Sequence, residues 1–238
     1  MQRHSRACGR PVPSAMALAA LLLPIIASPA QAQAQLYEAV PPPGSAYLRF
    51  ANALPGSAAV APNFLPRQQL GTTPQQRVSA YAVVQRVAGR RLTLELSDGT
   101  ASGTLEFGVE PGGFTTILLH ALPQGGIGAT AVTDQADFNR ARARLSFYNA
   151  APTCAEASLA LEPGGPMVFE HLAPASVKTR AVTPTSATLR ASCAEAAAPP
   201  VALTGLEAGG TYSIWLMRPT PGEPIAFLLA DTTARWRP

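Results

Sequence analysis

The chain has 238 residues, 47% of them hydrophobic and 13% charged, with 18 Lys and Arg against 14 Asp and Glu. That is apolar material enough for two cores in domains of about 100 residues each. The net charge of +4 falls to +1 without residues 1–34, which hold Arg3, Arg6 and Arg10 and no acidic residue; the rest has no Lys/Arg cluster, so a nucleic-acid partner is excluded.

Those three arginines precede an apolar run from Ala15 to Ala27, and small-residue sites follow at Ala30-Gln31-Ala32 and Ala32-Gln33-Ala34. This predicts a secretory signal peptide over residues 1–34. The run is short for a bilayer span and contains Pro24, and Cys8 lies ahead of it, where a lipoprotein cysteine would not. No later run approaches bilayer length, so the mature protein is expected not to span a membrane.

A repeat then organises the chain. Ala46-Tyr47-Leu48-Arg49-Phe50-Ala51-Asn52-Ala53-Leu54-Pro55 recurs 97 residues later as Ala143-Arg144-Leu145-Ser146-Phe147-Tyr148-Asn149-Ala150-Ala151-Pro152. At the same displacement, Val109 to Leu119, with Gly112-Gly113 inside it, returns as Leu206 to Leu216, with Gly209-Gly210. Two separated matches at one displacement predict a tandem duplication.

Each unit reads as all-β. Ala46, Leu48 and Phe50 alternate with Tyr47, Arg49 and Ala51, the pattern of a half-buried strand. Leu92, Leu94 and Leu96 lead through Asp98-Gly99 to Leu105, Phe107 and Val109, a hairpin. Phe114 to Leu119 is nearly continuous apolar sequence, as in a central strand covered on both faces. The second unit offers Leu159-Ala160-Leu161, Val177 to Val182, Ala187 to Ser192, Val201 to Leu203, Tyr212 to Met217 and Ile225 to Leu229. The expected fold is two tandem Ig-like β-sandwich domains, 35–133 and 143–238, joined by a polar linker at 134–142 with one helical turn capped by Asp134.

Only Cys154 and Cys193 follow the expected signal peptide. In an oxidising compartment they are expected to form a disulfide; two free buried thiols are the alternative. His120 and His171 read as strand ends. No serine has the sharp turn, adjacent base and oxyanion donors of a nucleophile, and Ser102-Gly103 reads as hairpin turn chemistry. The double glycines lack the strand-to-helix setting of a phosphate loop. No catalytic, metal or cofactor residue is therefore expected. Trp215 occupies a core-like strand, matching Leu118, while Trp236 sits between Arg235 and Arg237 near the C-terminus.

Leu36-Tyr37-Glu38-Ala39, followed by Pro41 to Ala53 with its Gly44-Ser45-Ala46 and Asn52-Ala53, resembles the opening of the alginate O-acetylation protein F (AlgF) family. Phe138 to Asn149 resembles that family's inter-domain junction. Residues 58–76 and 193–200 are Pro- and Ala-rich departures from the pattern, and the cysteine pair is another. The resemblance implies a periplasmic, non-catalytic adaptor of two β-sandwiches without a cofactor. Its implied partners are a membrane-bound O-acyltransferase and periplasmic polysaccharide acetyltransferases, with the polysaccharide itself, alginate or acetylated cellulose, as a further candidate. Free chain ends are the expected docking elements: Leu36 and Tyr37 at one, Arg235, Trp236 and Arg237 at the other. The competing readings are a glycan-binding module using Trp215 or Trp236, and a cell-envelope protein with no acetylation link.

Overall fold

The computed structural model describes residues 41–135, 141–194, 196–220 and 223–234. The expected signal peptide and the residues Leu36, Tyr37, Arg235, Trp236 and Arg237 lie outside them. The alternating segment forms β1 (Ala46–Asn52). After it come β2 (Ala58–Pro62), β3 (Gln68–Leu70), a single helical turn α1 (Pro74–Arg77) and β4 (Ala82–Val84). The hairpin β5 (Leu92–Ser97) and β6 (Ser102–Phe107) leads to β7 (Phe114–Ala121) and β8 (Ile127–Asp134). These eight strands make two sheets, ordered β4-β1-β7-β8 and β3-β2-β5-β6. Leu48, Phe50, Ile117 and Leu119 from one sheet and Val60, Leu92, Leu94 and Leu96 from the other share one core.

The second half repeats the plan with β9 (Ala143–Asn149), β10 (Ala157–Glu162), β11 (Met167–Leu172), β12 (Ser176–Val182) and β13 (Ala187–Cys193). The short β14 (Ala196–Ala197) and β15 (Val201–Leu203) precede β16 (Thr211–Met217) and β17 (Ile225–Ala230). Its sheets run β12-β9-β16-β17 and β11-β10-β13-β14, with β15 also on β13. The registers coincide as well: β1 and β7 are parallel with Tyr47 opposite Phe114, and β9 and β16 are parallel with Arg144 opposite Thr211, each 97 residues on.

Two devices explain why the repeated motif has its composition. Asn52 is buried and donates to the carbonyls of Gly56 and Gly71 while accepting from the Leu54 N–H. Asn149 does the same with the carbonyls of Cys154 and Leu172 and the Ala151 N–H. Only an amide side chain offers two donors and an acceptor in that space. The double glycine turns the chain into the parallel strand: Gly112 and Gly209 have φ of 76° and 79°, open to glycine without strain. Their N–H groups donate to the carbonyls of Ser45 and Arg142, tying each turn to the entry of its β1-type strand.

Several expectations need correction. The alternation in β1 suggests a wet face, but Arg49 and Ala51 are buried and Tyr47 half-buried, and in β9 every residue is buried. The cause is a third apolar cluster, in which Ala51, Ala53, Leu118 and Val132 meet Tyr148, Ala150, Trp215, Met217 and Phe227. Sheet β4-β1-β7-β8 thus lies against sheet β12-β9-β16-β17, and the described residues form one compact unit. Asp134 is not in a linker; it is the buried last residue of β8, so the strand outruns the expected boundary at 133. The rest of the expected helical turn falls largely on 136–140, outside the described residues. Ser102-Gly103 belongs to β6, not to a turn, and Gly103 leaves room for the Ile127 carbonyl, which a Cβ would meet at 2.8 Å. The Pro- and Ala-rich stretch from Ala58 contains β2, which is paired on both sides.

Cys154 and Cys193 are joined in a disulfide with their Cα atoms 5.4 Å apart, tying the loop before β10 to the end of β13. Their 39-residue separation gives about 3–4 kcal/mol of stabilisation in the chain-entropy account. Changing both cysteines to serine should therefore lower the guanidinium unfolding midpoint by an amount equivalent to most of that figure. Asn149→Leu should cost about 1–3 kcal/mol in the same assay, because two carbonyls and an N–H lose their partner.

Candidate functional site

The seam between the two inner sheets holds a connected network of buried polar groups. Arg49 projects from the outer face of β1 and is 1% exposed. Its Nη1 donates to Asp231 Oδ1 at 2.6 Å, its Nη2 to the Tyr148 hydroxyl at 2.8 Å and its Nε to Thr116 Oγ1 at 2.9 Å. Both acceptor hydroxyls pass the contact on, Tyr148 donating to Asp134 Oδ1 and Thr116 to Asp134 Oδ2, where Tyr81 donates too. One guanidinium thus faces one carboxylate directly and a second through two hydroxyls.

Aromatic rings wall in this charge. The Arg49 guanidinium carbon lies 4.3 Å from the Tyr81 ring centre, 5.0 Å from that of Trp215 and 5.1 Å from that of Tyr148. Tyr148 and Trp215 stack at 4.1 Å, and Trp215 Nε1 donates to Ser213 Oγ, which donates to Asp231 Oδ1. Cation–π contact and charge-assisted hydrogen bonds offset the cost of taking the ions out of water. Burial works against the Arg49 charge, but Tyr148, Asp231, Tyr81 and Asp134 outweigh it and hold its pKa above the ordinary arginine value. Burial pushes the Tyr81 and Tyr148 phenols up; Arg49 opposes this, and the nearby carboxylates add to it.

The two carboxylates occupy matching places. Asp134 ends β8 opposite Phe114, and Asp231 follows β17, its N–H donating to the Thr211 carbonyl. Each accepts from a hydroxyl on the neighbouring strand, Thr116 for Asp134 and Ser213 for Asp231. Beyond Asp231 the chain crosses to the first half, where the Tyr81 N–H donates to the Thr232 carbonyl and the Ala234 N–H to the Tyr81 carbonyl. A cavity of about 250 Å³ opens beside this strap, lined by residues of both halves, Arg49 and Asp231 among them.

Of the residues singled out from the sequence, Trp215 is wholly buried in the seam and has no face for a sugar. His120 contacts the Ala121 carbonyl and Thr130 Oγ1; His171 pairs with Glu156 on the surface. Among the described residues no three His, Cys, Asp or Glu side chains converge as a metal site would require. Arg49, Asp134, Tyr148 and Asp231 were not legible as a group, yet a signal existed: Asp134 and Asp231 stand 97 residues apart, the displacement of the repeat itself. No family model matches the chain, and no curated protein matches it.

Arg49→Ala should destabilise by about 3–5 kcal/mol, since it strands a buried carboxylate, whereas the double change Arg49→Met, Asp231→Leu should recover a large part of the loss. Chemical denaturation of the three proteins distinguishes the cases. For pH, the raised tyrosine pKa values mean that the fold favours the protonated phenols. Their contribution is fully present below the unfolded tyrosine value of about 10 and is lost as the pH rises from there through the higher folded values. Unfolding midpoints between pH 8 and 12 should fall steeply above 10, and Tyr148→Phe should flatten that limb.

Proposed function

We propose that this chain is a non-catalytic periplasmic adaptor for O-acetylation of an exported polysaccharide, joining a membrane-bound O-acyltransferase to periplasmic acetyltransferases. In this reading the halves are tandem Ig-like β-sandwiches descended from one duplicated unit. The coincident registers, the paired asparagine brackets and the matched carboxylates support the duplication. A signal peptide over residues 1–34 accounts for the compartment.

The observation that carries the adaptor role is the Arg49 seam. It uses a buried ion pair, its hydroxyl relays and stacked aromatic rings to hold the halves together, and so keeps the outer sheets β3-β2-β5-β6 and β11-β10-β13-β14 at a set separation. Two outward faces on one body suit a protein that must bring two partners together. The motif that resembles the AlgF family falls on this framework, since Gly44, Ser45 and Ala46 lead into β1 and Asn52 brackets its end.

A pull-down of the tagged protein from native periplasm and detergent-solubilised membrane, read by mass spectrometry, tests the role. Recovery of an O-acyltransferase or a polysaccharide acetyltransferase is expected, and Arg49→Ala should weaken the joint capture of both. Recovery of neither from a strain actively acetylating its polymer would overturn the reading.

A further inference from the structure

The cavity beside the strap has a floor unlike an ordinary packing defect. Arg49 and Asp231 meet there with their side chains 2% and 4% exposed. Val78, Ser79 and Ala80 form one wall and Leu229 belongs to the other. Asp231 Oδ1 accepts from both Arg49 and Ser213, but Oδ2 has no hydrogen-bond partner among the described residues. Arg49 has five N–H donors and spends three on Asp231, Tyr148 and Thr116. The floor therefore retains one carboxylate acceptor and spare guanidinium donors after the seam has been satisfied.

The charges decide what such a floor can hold. A cation entering the cavity meets the Arg49 guanidinium, and an anion meets Asp231 with Asp134 behind it. In a site shielded from water either encounter is unfavourable, because like charges are poorly screened there. A hydroxyl group has neither difficulty, since it donates to a carboxylate oxygen and accepts from a guanidinium N–H at once. The volume, about 250 Å³, is below the roughly 300–1,000 Å³ of drug-sized sites. It suits one ring, whose C–H faces can lie on Val78 and Leu229.

We propose that this seam cavity is a binding site for a single neutral sugar ring, which donates a hydroxyl to Asp231 Oδ2 and accepts from Arg49. The site is independent of the adaptor role, because it needs only the two halves of this chain. It differs from exposed-aromatic sugar stacking, for which Trp215 is inaccessible.

Trp215 supplies a reporter, since its indole N–H is linked to Asp231 through Ser213 Oγ. The chain has two tryptophans, so a ¹⁵N-labelled sample gives two indole signals, and Trp236→Phe assigns them. Titration with the methyl glycosides of glucose, galactose and mannose should shift the Trp215 signal saturably for at least one of them. Acetate and methylammonium should act at least tenfold more weakly. Ala80→Phe, at an exposed position on the cavity wall, should keep the protein folded, as read by retained amide dispersion, and abolish the saturable shift; Gln75→Phe, also exposed and lining the cavity, serves if the first variant folds poorly. No saturable shift with any glycoside, or equal shifts with either ion, would overturn the proposal and leave a water-filled cleft. The pull-down outcome bears on neither result.

Discussion

A guanidinium enclosed between two sheets must find its counter-charge and acceptors inside the protein, and Arg49 does so by recruiting from both halves. Thr116 comes from its own sheet, Tyr148 from the opposing one and Asp231 from the strap that follows the last strand. Separating the halves would leave Asp231 and the guanidinium without each other in a largely apolar surround. That penalty, several kcal/mol for a stranded buried ion, works together with apolar burial around Trp215 and Met217 to keep the inner sheets together.

The two halves are alike where each folds and unlike where they meet. Asparagine brackets, double-glycine turns and parallel central strands recur in both. At the seam, the positions 97 residues apart carry Arg49 and Ser146, Ala51 and Tyr148, Leu118 and Trp215. Arginine at both places would bury two like charges, and small residues at both would leave a void. The differences at these positions make two similarly built halves complementary, while the carboxylates Asp134 and Asp231, 97 residues apart, both answer Arg49. The cavity by the strap follows from the same asymmetry, because an ion pair assembled from two halves has unused hydrogen-bonding capacity on its open side.

All-β character, the repeat and the major central strands were legible in the amino-acid order because they rest on local physics: period-two alternation, turn chemistry at Asp98-Gly99 and Gly112-Gly113, and self-similarity at one displacement. The β2 and β8 strands were not. Alanine and proline in Ala58–Pro62, and alanine, glycine and aspartate in Ile127–Asp134, dilute the intrinsic strand signal, and pairing with neighbouring strands supplies what propensity does not. Asp134 read as a linker residue because a carboxylate at a strand end ordinarily faces water.

The sequence by itself determined the all-β character and the alternation and turn chemistry of the central strands, since each depends on neighbours a few positions apart, and it displayed the repeated motif directly. Only the tertiary structure decided that the Arg49 face of β1 is dry and that Tyr148 and Asp231 answer it, whereas the burial of Trp215 agrees with its core-like strand position. Those outcomes depend on which faces of the two halves meet, which brings together groups as far apart in the chain as Arg49 and Asp231. Alternation within one strand records that a face exists, whereas the partner sheet determines whether that face meets water or another core.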